Sequence, residues 1–180
     1  TDQDSYGGYA GQIAWMDWKL RGTQDALAAF HTTAFPVKWV DGANDWAFEG
    51  EWEKRPMYIV EGASKLPQYA YSKRVIYVDK DEFVIPYSDM YDRGGQLWKV
   101  WINDFSYKKE AYAGSPVKYD EEVPFGAAIV MVDMQLQHAT KASLPSHRFP
   151  GEPGWYWHQG AEAGTTEDQF TIAELIGSGH

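Results

Sequence analysis

Apolar and polar residues alternate along residues 72–101, SKRVIYVDKDEFVIPYSDMYDRGGQLWKVW, and two polar turns interrupt the alternation. Such alternation is typical of β-strands that bury one face. The turns DKDE and DRGG supply the Asp and Gly residues that tight reversals require. The pattern predicts three consecutive antiparallel strands joined as a meander: SKRVIYVD, FVIPYSDMY and QLWKVWINDFSY.

Two short helices and one further strand are predicted before the meander. GQIAWMDWKL carries apolar residues at helical spacing, and GTQDALAAF offers Thr23 as the N-cap of a second helix. The β-rich run MYIV, residues 57–60, predicts a strand. Pro56 stands at the entrance of this strand, where a missing N–H group is tolerated.

The chain after the meander is predicted to contain one long strand and a C-terminal helix. A polar connection, YAGSPVKYDEEVPFG, precedes the strand AAIVMVDMQLQHATKAS. The prolines and glycines of LPSHRFPGEPGWYWHQG predict irregular structure. TTEDQFTIAELIGSG combines a capping residue, an acidic first turn, an apolar stripe and Gly177, which are typical of a short helix.

Composition narrows the classes of function. The formal charge of -10 opposes binding to phosphate backbones, so we expect no nucleic-acid partner. The absence of cysteine excludes disulfides, thiolate catalysis and Cys-ligated metals. Aromatic residues make up 16% of the chain, and such side chains line both protein cores and sites for apolar ligands or sugars.

The histidines form no recognisable metal motif. His138, His147 and His158 lie in one region with Glu152 and Glu162. Their spacings match no compact ligand set, so scattered loop positions explain them better than a metal site does. We therefore predict neither a metal nor a cofactor.

The acidic residues of the meander are interpreted as turn residues rather than as catalytic groups. Four of the six carboxylates fall in the two turn regions, where Asp bonds the local backbone. The six are Asp79, Asp81, Glu82, Asp89, Asp92 and Asp104. No G-x-S-x-G elbow is present, and GGYAG lacks the Lys-Ser/Thr of a phosphate loop. We expect the protein not to be an enzyme and assign no catalytic residue.

The apolar strand positions are candidates either for a packed core or for the wall of a pocket. Trp98, Val100 and Ile102 are expected to share one fully apolar face of the third strand. Spacing alone does not distinguish a core from a lined cavity. The candidate ligand-binding residues, taken from both faces of the sheet, are Tyr58, Val60, Val75, Tyr77, Val84, Trp98, Val100 and Ile102.

Four segments, in the same order from Asp17 to the C-terminus, resemble a known family. DWKLRG, EKRPMYIVEG, YSKRVIYVDKDEFVIPYSDMYDRGGQLWKV and QFTIAELIGSG are similar to domain-of-unknown-function family 1329 of Gram-negative bacteria. The strand pattern also resembles the LolA/LolB-like periplasmic proteins. The resemblance implies a mainly β fold, a curved antiparallel sheet or incomplete β-barrel with a few short helices, and it carries over no catalytic residue.

The resemblance also implies a compartment and a set of partners. It implies export to the periplasm, with the leader absent from this chain, and genes beside an RND-type transporter and an outer-membrane protein. Family members are longer on the N-terminal side. We therefore expect residues 1–180 to be a single domain, the C-terminal portion of a longer barrel protein. Its sheet would be completed by the missing N-terminal part or by another chain.

Three functions from different classes fit these observations. The first is periplasmic, non-catalytic binding or trafficking of a hydrophobic molecule, such as a lipid, between envelope membranes. The alternative is a sheet-rich interaction subunit of a cell-envelope complex. The third is a protein that binds or acts on glycans through Trp side chains and carboxylates.

Overall fold

Seven β-strands dominate the part of the chain that this computed structural model describes, residues 2–42, 46–110, 114–115, 117–143 and 171–177. The strands are β1 (Met16–Ala28), β2 (Glu53–Ser64), β3 (Lys73–Asp79), β4 (Tyr87–Tyr91), β5 (Leu97–Glu110), β6 (Lys118–Asp133) and β7 (His138–Ser143). Two 3₁₀-helices, Gln3–Gly8 and Ile13–Trp15, precede β1, and a short α-helix, α1, spans Ile172–Gly177.

Each strand pairs antiparallel with the next, so the sheet order follows the chain from β1 to β7. Within the described residues β1 and β7 do not pair, and the sheet is not closed. The predicted fold class, a mainly β antiparallel sheet with few helices, is confirmed.

The predicted meander corresponds to β3, β4 and β5. The DKDE turn follows β3, where Asp79 Oδ1 accepts the N–H groups of Asp81 at 3.0 Å and Glu82 at 2.9 Å. The DRGG turn follows β4, and Gly95 adopts φ 80° there. β4 is shorter than predicted, because it begins only after Pro86.

The two helices predicted near the N-terminus are wrong, because residues 16–28 form β1. β1 pairs with β2 along its length, from Met16 opposite Ser64 to Ala28 opposite Glu53. Most of its side chains are exposed on both faces of the sheet. Its hydrophobic pattern therefore carries little information, and backbone pairing with β2 decides its conformation.

Three further boundaries differ from prediction. β2 extends to Glu53–Ser64 and contains Pro56 inside it rather than at its entrance. β6 begins at Lys118, within the predicted polar connection. The predicted single long strand is divided into β6 and β7 by a turn at residues 134–137, where Asp133 Oδ1 accepts the N–H groups of Gln135 and Leu136. The predicted irregular segment LPSHRFPGEPGWYWHQG lies outside the described residues, whereas the predicted C-terminal helix is present as α1.

The sheet curls strongly between β1 and β5. Ala28, the last residue of β1, pairs with Glu53 of β2. The next residue, Ala29, accepts the N–H of Phe105 in β5 at 3.1 Å, and Thr32 donates to the Phe105 carbonyl at 3.0 Å. In a flat sheet β1 and β5 would lie about 19 Å apart, at about 4.8 Å per strand. The β1–β2 end therefore bends over the short β3–β4 hairpin to reach β5.

The curl is directed toward one face of the sheet. Phe30, which follows β1, forms a cluster with Met57 of β2, and Tyr77 of β3 and Tyr87 of β4 pack against it. The Tyr87 hydroxyl also donates a hydrogen bond to the carbonyl of Leu27. We call the face that carries Met57, Tyr77 and Tyr87 the concave face, and the opposite face the convex face.

The N-terminal 3₁₀ segment covers the convex face. Arg74 is fully buried there, where Nη1 donates to Ser5 Oγ at 2.9 Å and Nη2 lies 3.0 Å from Asp4 Oδ1. The ring of Tyr6 packs edge-on against Trp101 with centroids 5.5 Å apart. The buried cluster beneath this segment consists of Tyr71, Met90, Trp101 and Met131.

Candidate ligand-binding face

Two adjacent rows of side chains cross the concave face from β2 to β6. They are Ile59, Tyr77, Tyr87, Ile102 and Val130 in one row, and Glu61, Val75, Asp89, Val100 and Val132 in the other. Ile102, Val130 and Val132 are buried, whereas the members on β2, β3 and β4 are half-buried. The apolar face is thus covered over β5 and β6 and partly open over β2–β4.

An aromatic-rich segment covers the β5–β7 part of the concave face. We call it the aromatic segment, residues 35–52, of which residues 43–45 lie outside the described part. Trp39 and Phe48 form an isolated antiparallel bridge, with ring centroids 5.2 Å apart. Phe48 is buried against the sheet together with Val37, and Trp46 packs beside them.

Polar and cationic groups hold the aromatic segment to the sheet. The Val37 N–H donates to Ser143 Oγ at the end of β7, at 2.9 Å. Lys141 Nζ lies 5.1 Å from the centre of the Trp39 ring, a cation–π arrangement. A hydrogen bond and a cation–π contact thus join the described part of the segment to β7, and its aromatic side chains pack against the sheet.

Two pockets lined by described residues flank the aromatic segment. The larger, about 480 Å³, lies at the β6–β7 turn and is lined by Trp46, Val132, Asp133, Met134, Gln137, His138 and Ala139. The smaller, about 300 Å³, is lined by Phe30, His31, Thr32, Thr33, Ala34, Glu49, Gly50 and Glu51. Both volumes fall in the range at which small-molecule sites begin.

Two carboxylates of the concave face, Asp104 and Asp89, have raised pKa values. Burial raises the pKa of Asp104 to about 6, although the Thr32 hydroxyl donates to Oδ1 at 2.6 Å. Burial also raises the pKa of Asp89, against a weaker opposite effect from the Tyr77 hydroxyl, which donates to Oδ2 at 2.9 Å. Both groups are acids held in an environment that disfavours their charged form.

The buried ion pair at the end of β3 is structural. Arg55 donates to Asp79 through Nε at 2.8 Å and Nη2 at 3.0 Å. Burial raises the pKa of Asp79, but these bonds and the two turn N–H groups outweigh it and leave the pKa below its usual value. Asp79 therefore serves the turn, as predicted from its position.

The predicted ligand-binding residues are divided between the two faces. Val75, Tyr77, Val100 and Ile102 lie on the concave face. Tyr58 and Val60 lie on the convex face, because they alternate along β2 with Ile59 and Glu61 of the concave rows. Val84 precedes β4 and packs against the Phe30–Met57 cluster of the concave side.

Trp98 does not share a face with Val100 and Ile102, and that prediction is wrong. Met90 pairs with Lys99 and Tyr91 with Leu97, so Trp98 is an extra residue in a β-bulge. The Trp98 ring packs against Tyr71 of the convex cluster, with centroids 5.4 Å apart. Its Nε1 donates to Asp133 Oδ2 at 3.0 Å. The bulge changes the direction of this side chain.

The sequence did not indicate the aromatic segment as part of the site. Phe35, Trp39, Trp46, Phe48 and Trp52 have no strand or helix period. Their local density was the available signal, because five aromatic side chains in one irregular segment need a surface against which to pack.

Of the residues considered for a metal site, only His138 lies in the described part, where it is exposed at the start of β7. His147, His158, Glu152 and Glu162 lie outside it. Among the described residues no three His, Asp or Glu side chains come together as a metal site. None of the helices in the described part of the chain is long and apolar enough to cross a membrane.

A family match covers nearly the whole chain. The family described as "Protein of unknown function (DUF1329)" matches residues 2–175. The chain belongs to this family. The resemblance inferred from the four ordered segments is thereby confirmed. No curated protein matches the chain.

Three solved structures are similar to the chain. A DUF1329 family protein from Desulfovibrio piger is 13% identical, with 97% of this chain and 58% of that one covered, at a TM-score of 0.43. A domain from Vibrio parahaemolyticus named for outer-membrane lipoprotein sorting is 20% identical, with 67% and 42% covered, at a TM-score of 0.45. A LolA superfamily protein from Nitrosomonas europaea is 13% identical, with 74% and 44% covered, at a TM-score of 0.43. The chain thus spans about half the length of each of these proteins.

Proposed function

We propose that the protein binds a hydrophobic molecule, such as a lipid, on its concave face and carries it between the envelope membranes without catalysing a reaction. One observation carries this proposal. The apolar rows of the concave face are covered over β5–β7 by the aromatic segment and remain half-buried over β2–β4. A largely apolar surface that is only partly covered is suited to an apolar ligand.

The binding energy would come mainly from removing apolar surface from water. Each buried methylene contributes about 0.8 kcal/mol, so a ten-carbon chain contributes about 8 kcal/mol before the costs of association. Val75 and Tyr77 present such surface on the open part of the face, and Val100 lies at its border with the part that the aromatic segment covers. The ligand would therefore need few polar contacts, and selectivity for its length would be broad.

A periplasmic location fits this role and is part of the proposal. The Vibrio domain is named for outer-membrane lipoprotein sorting, and a carrier between two membranes works in the space between them. The partners we propose are an RND-type transporter and an outer-membrane protein, which would deliver and receive the ligand. No reaction is proposed, because the acids of the meander serve turns or lie in the apolar face.

The direct test is mass spectrometry of compounds extracted from the purified full-length protein, together with uptake of the neutral dye diphenylhexatriene. We expect a retained apolar compound and saturable uptake of the dye after delipidation. A protein that neither retains nor takes up any apolar compound would refute the proposal.

A pair of variants tests whether the binding site extends from the open part of the face into the larger pocket. Ala139 lines the larger pocket beside Trp46, and Thr140 is exposed on the other face of β7. We expect Ala139→Phe to reduce dye uptake several-fold, because the added ring fills the pocket, and Thr140→Phe to leave uptake unchanged. Equal uptake in both variants would exclude this pocket from the binding site.

A specific observation favours the second candidate, an interaction subunit of an envelope complex. In the described part of the chain β1 pairs only with β2, and Leu20 and Leu27 are 59% and 58% exposed. A free edge strand of this kind can accept a strand from another chain or from a missing part of the same protein. A stable assembly in native mass spectrometry, without a retained ligand, would favour this function over the first.

A further inference from the structure

A carboxylate lies inside the apolar part of the concave face. Asp89 stands opposite Val75 on β3 and Val100 on β5. Its neighbours on the same face of β4 are Tyr87 and Tyr91. Asp89 is half-buried, so its charged group is partly removed from water while apolar and aromatic side chains surround it within the sheet.

Asp89 has little compensation from the protein. In the described part of the chain its single hydrogen bond comes from the Tyr77 hydroxyl, at 2.9 Å. The neighbouring cation in the register, Lys73, lies 3.4 Å from Glu61 Oε2 and 4.4 Å from the centre of the Tyr91 ring. Lys73 is therefore engaged elsewhere, and none of the described ion pairs involves Asp89.

A partly desolvated carboxylate distinguishes between ligands. A purely apolar group placed over Asp89 would remove more water from the charge without replacing the lost hydrogen bonds. An amine would supply both donors and the opposite charge, and a hydroxyl would supply a donor alone. A ligand carboxylate would be repelled.

We propose that Asp89 selects amphiphiles whose polar group donates hydrogen bonds, amines above all, and disfavours amphiphiles that carry a carboxylate. This inference rests on the proposed function, because the ligand must lie along the concave face to meet Asp89. It adds the chemical class of the polar group to that function.

The test compares three probes that share one alkyl chain: dodecylamine, dodecanol and dodecanoate. The two charged probes are titrated below their micelle concentrations, and dodecanol below its solubility limit, into the full chain at about pH 8, where the probe amine and the probe carboxylate are charged. We expect calorimetry to show dodecylamine binding about tenfold or more tightly than dodecanoate, with dodecanol between them. In Asp89→Asn this preference should fall to the remainder that the general charge of the protein produces, while the affinity for dodecanol changes little.

The matched control is Asp120→Asn, which removes the same charge from an exposed position of β6. Because the whole chain carries a net charge of -10, any cation is attracted to some extent, and this variant isolates that general attraction. We expect Asp120→Asn to keep the amine preference. If Asp89→Asn does not fold, Tyr77→Phe serves instead: it leaves the carboxylate with one donor fewer, so the amine preference should rise.

The outcomes separate the two proposals. Three results would overturn the role of Asp89 and leave the carrier function standing. They are an unchanged amine preference in Asp89→Asn, an equal loss of this preference in Asp120→Asn, and an amine preference that does not rise in Tyr77→Phe. Failure of the native protein to bind any of the probes, including neutral dodecanol, would refute the carrier function and this inference with it.

Discussion

We expect the stability of the protein to depend on pH through Asp104, and we expect Asp104→Asn to remove this dependence. Asp104 is fully buried on β5, where Thr32 donates to Oδ1, while Oδ2 is buried without a hydrogen-bond partner among the described residues. At the same place Ala29 and Thr32, which follow β1, form backbone hydrogen bonds with Phe105 of β5. Charging Asp104 is therefore expected to destabilise the contact between the end of β1 and β5, which maintains the curl of the sheet.

The magnitude follows from the pKa. Burial raises the pKa of Asp104 from 3.8 to about 6. Each pKa unit corresponds to about 1.4 kcal/mol, so the charged form costs the folded state about 3 kcal/mol relative to the unfolded state. Between these two pKa values the folded state binds more protons than the unfolded state. The free energy of unfolding contributed by Asp104 therefore falls as the pH rises from about 4 to about 7.

The assay is urea unfolding followed by Trp fluorescence, at intervals from about pH 4 to about pH 8. We expect the free energy of unfolding of the native protein, minus that of Asp104→Asn, to fall by about 3 kcal/mol across this range. The Asn amide lacks an acceptor, which adds a cost that does not vary with pH. Carboxyls with lowered pKa values, such as Asp79, lose their contribution in acid in both proteins and cancel in the difference.

The exposed variant Asp120→Asn serves as the control and should run parallel to the native protein across the range. Parallel curves for the native protein and Asp104→Asn would show that Asp104 titrates like an exposed carboxyl. The reasoning from burial would then be wrong, whatever the absolute stability of the variant.

Two further predictions concern the sheet and its N-terminal cover. Arg55→Met leaves the fully buried Asp79 without its ion-pair partner. We expect the free energy of unfolding in urea to fall by about 3 kcal/mol at neutral pH, and this loss to shrink in acid as Asp79 becomes protonated. A loss independent of pH would contradict this. Gly8 has φ 95°, and an added Cβ would lie 2.4 Å from Ile85 Cγ2. Gly8→Ala should therefore lower the melting temperature and expose the 3₁₀ segment to proteolysis. Gly7→Ala, which has open space around the added Cβ, should lower the melting temperature less.

The β3–β5 meander was predictable because its information is local. Alternation assigns each residue to a face, and Asp79 and Gly95 sit at turns whose geometry depends on a few neighbouring residues. β1 was not predictable in the same way. Its side chains are mostly exposed, so its strand conformation depends on pairing with residues 53–64, far along the chain.

Half of the proposed binding face could be predicted and half could not. Val75, Tyr77, Val100 and Ile102 follow the period of their strands and do lie together on one face. Trp98 does not, because a one-residue bulge between β4 and β5 interrupts the period, and no local residue type indicates that bulge. The aromatic segment has no period at all, so only its contacts reveal what it covers.

The sequence by itself determined the family, the mainly β class and the alternation that divides apolar from polar positions. The tertiary structure decided which face is concave and what covers it. The physical reason is the distance along the chain between the interacting residues. Alternation and turns arise among neighbouring residues. The curl, in contrast, depends on a backbone hydrogen bond between Ala29 and Phe105, and the cover depends on a contact between Val37 and Ser143. Contacts between residues so distant in the chain leave no local pattern in the sequence.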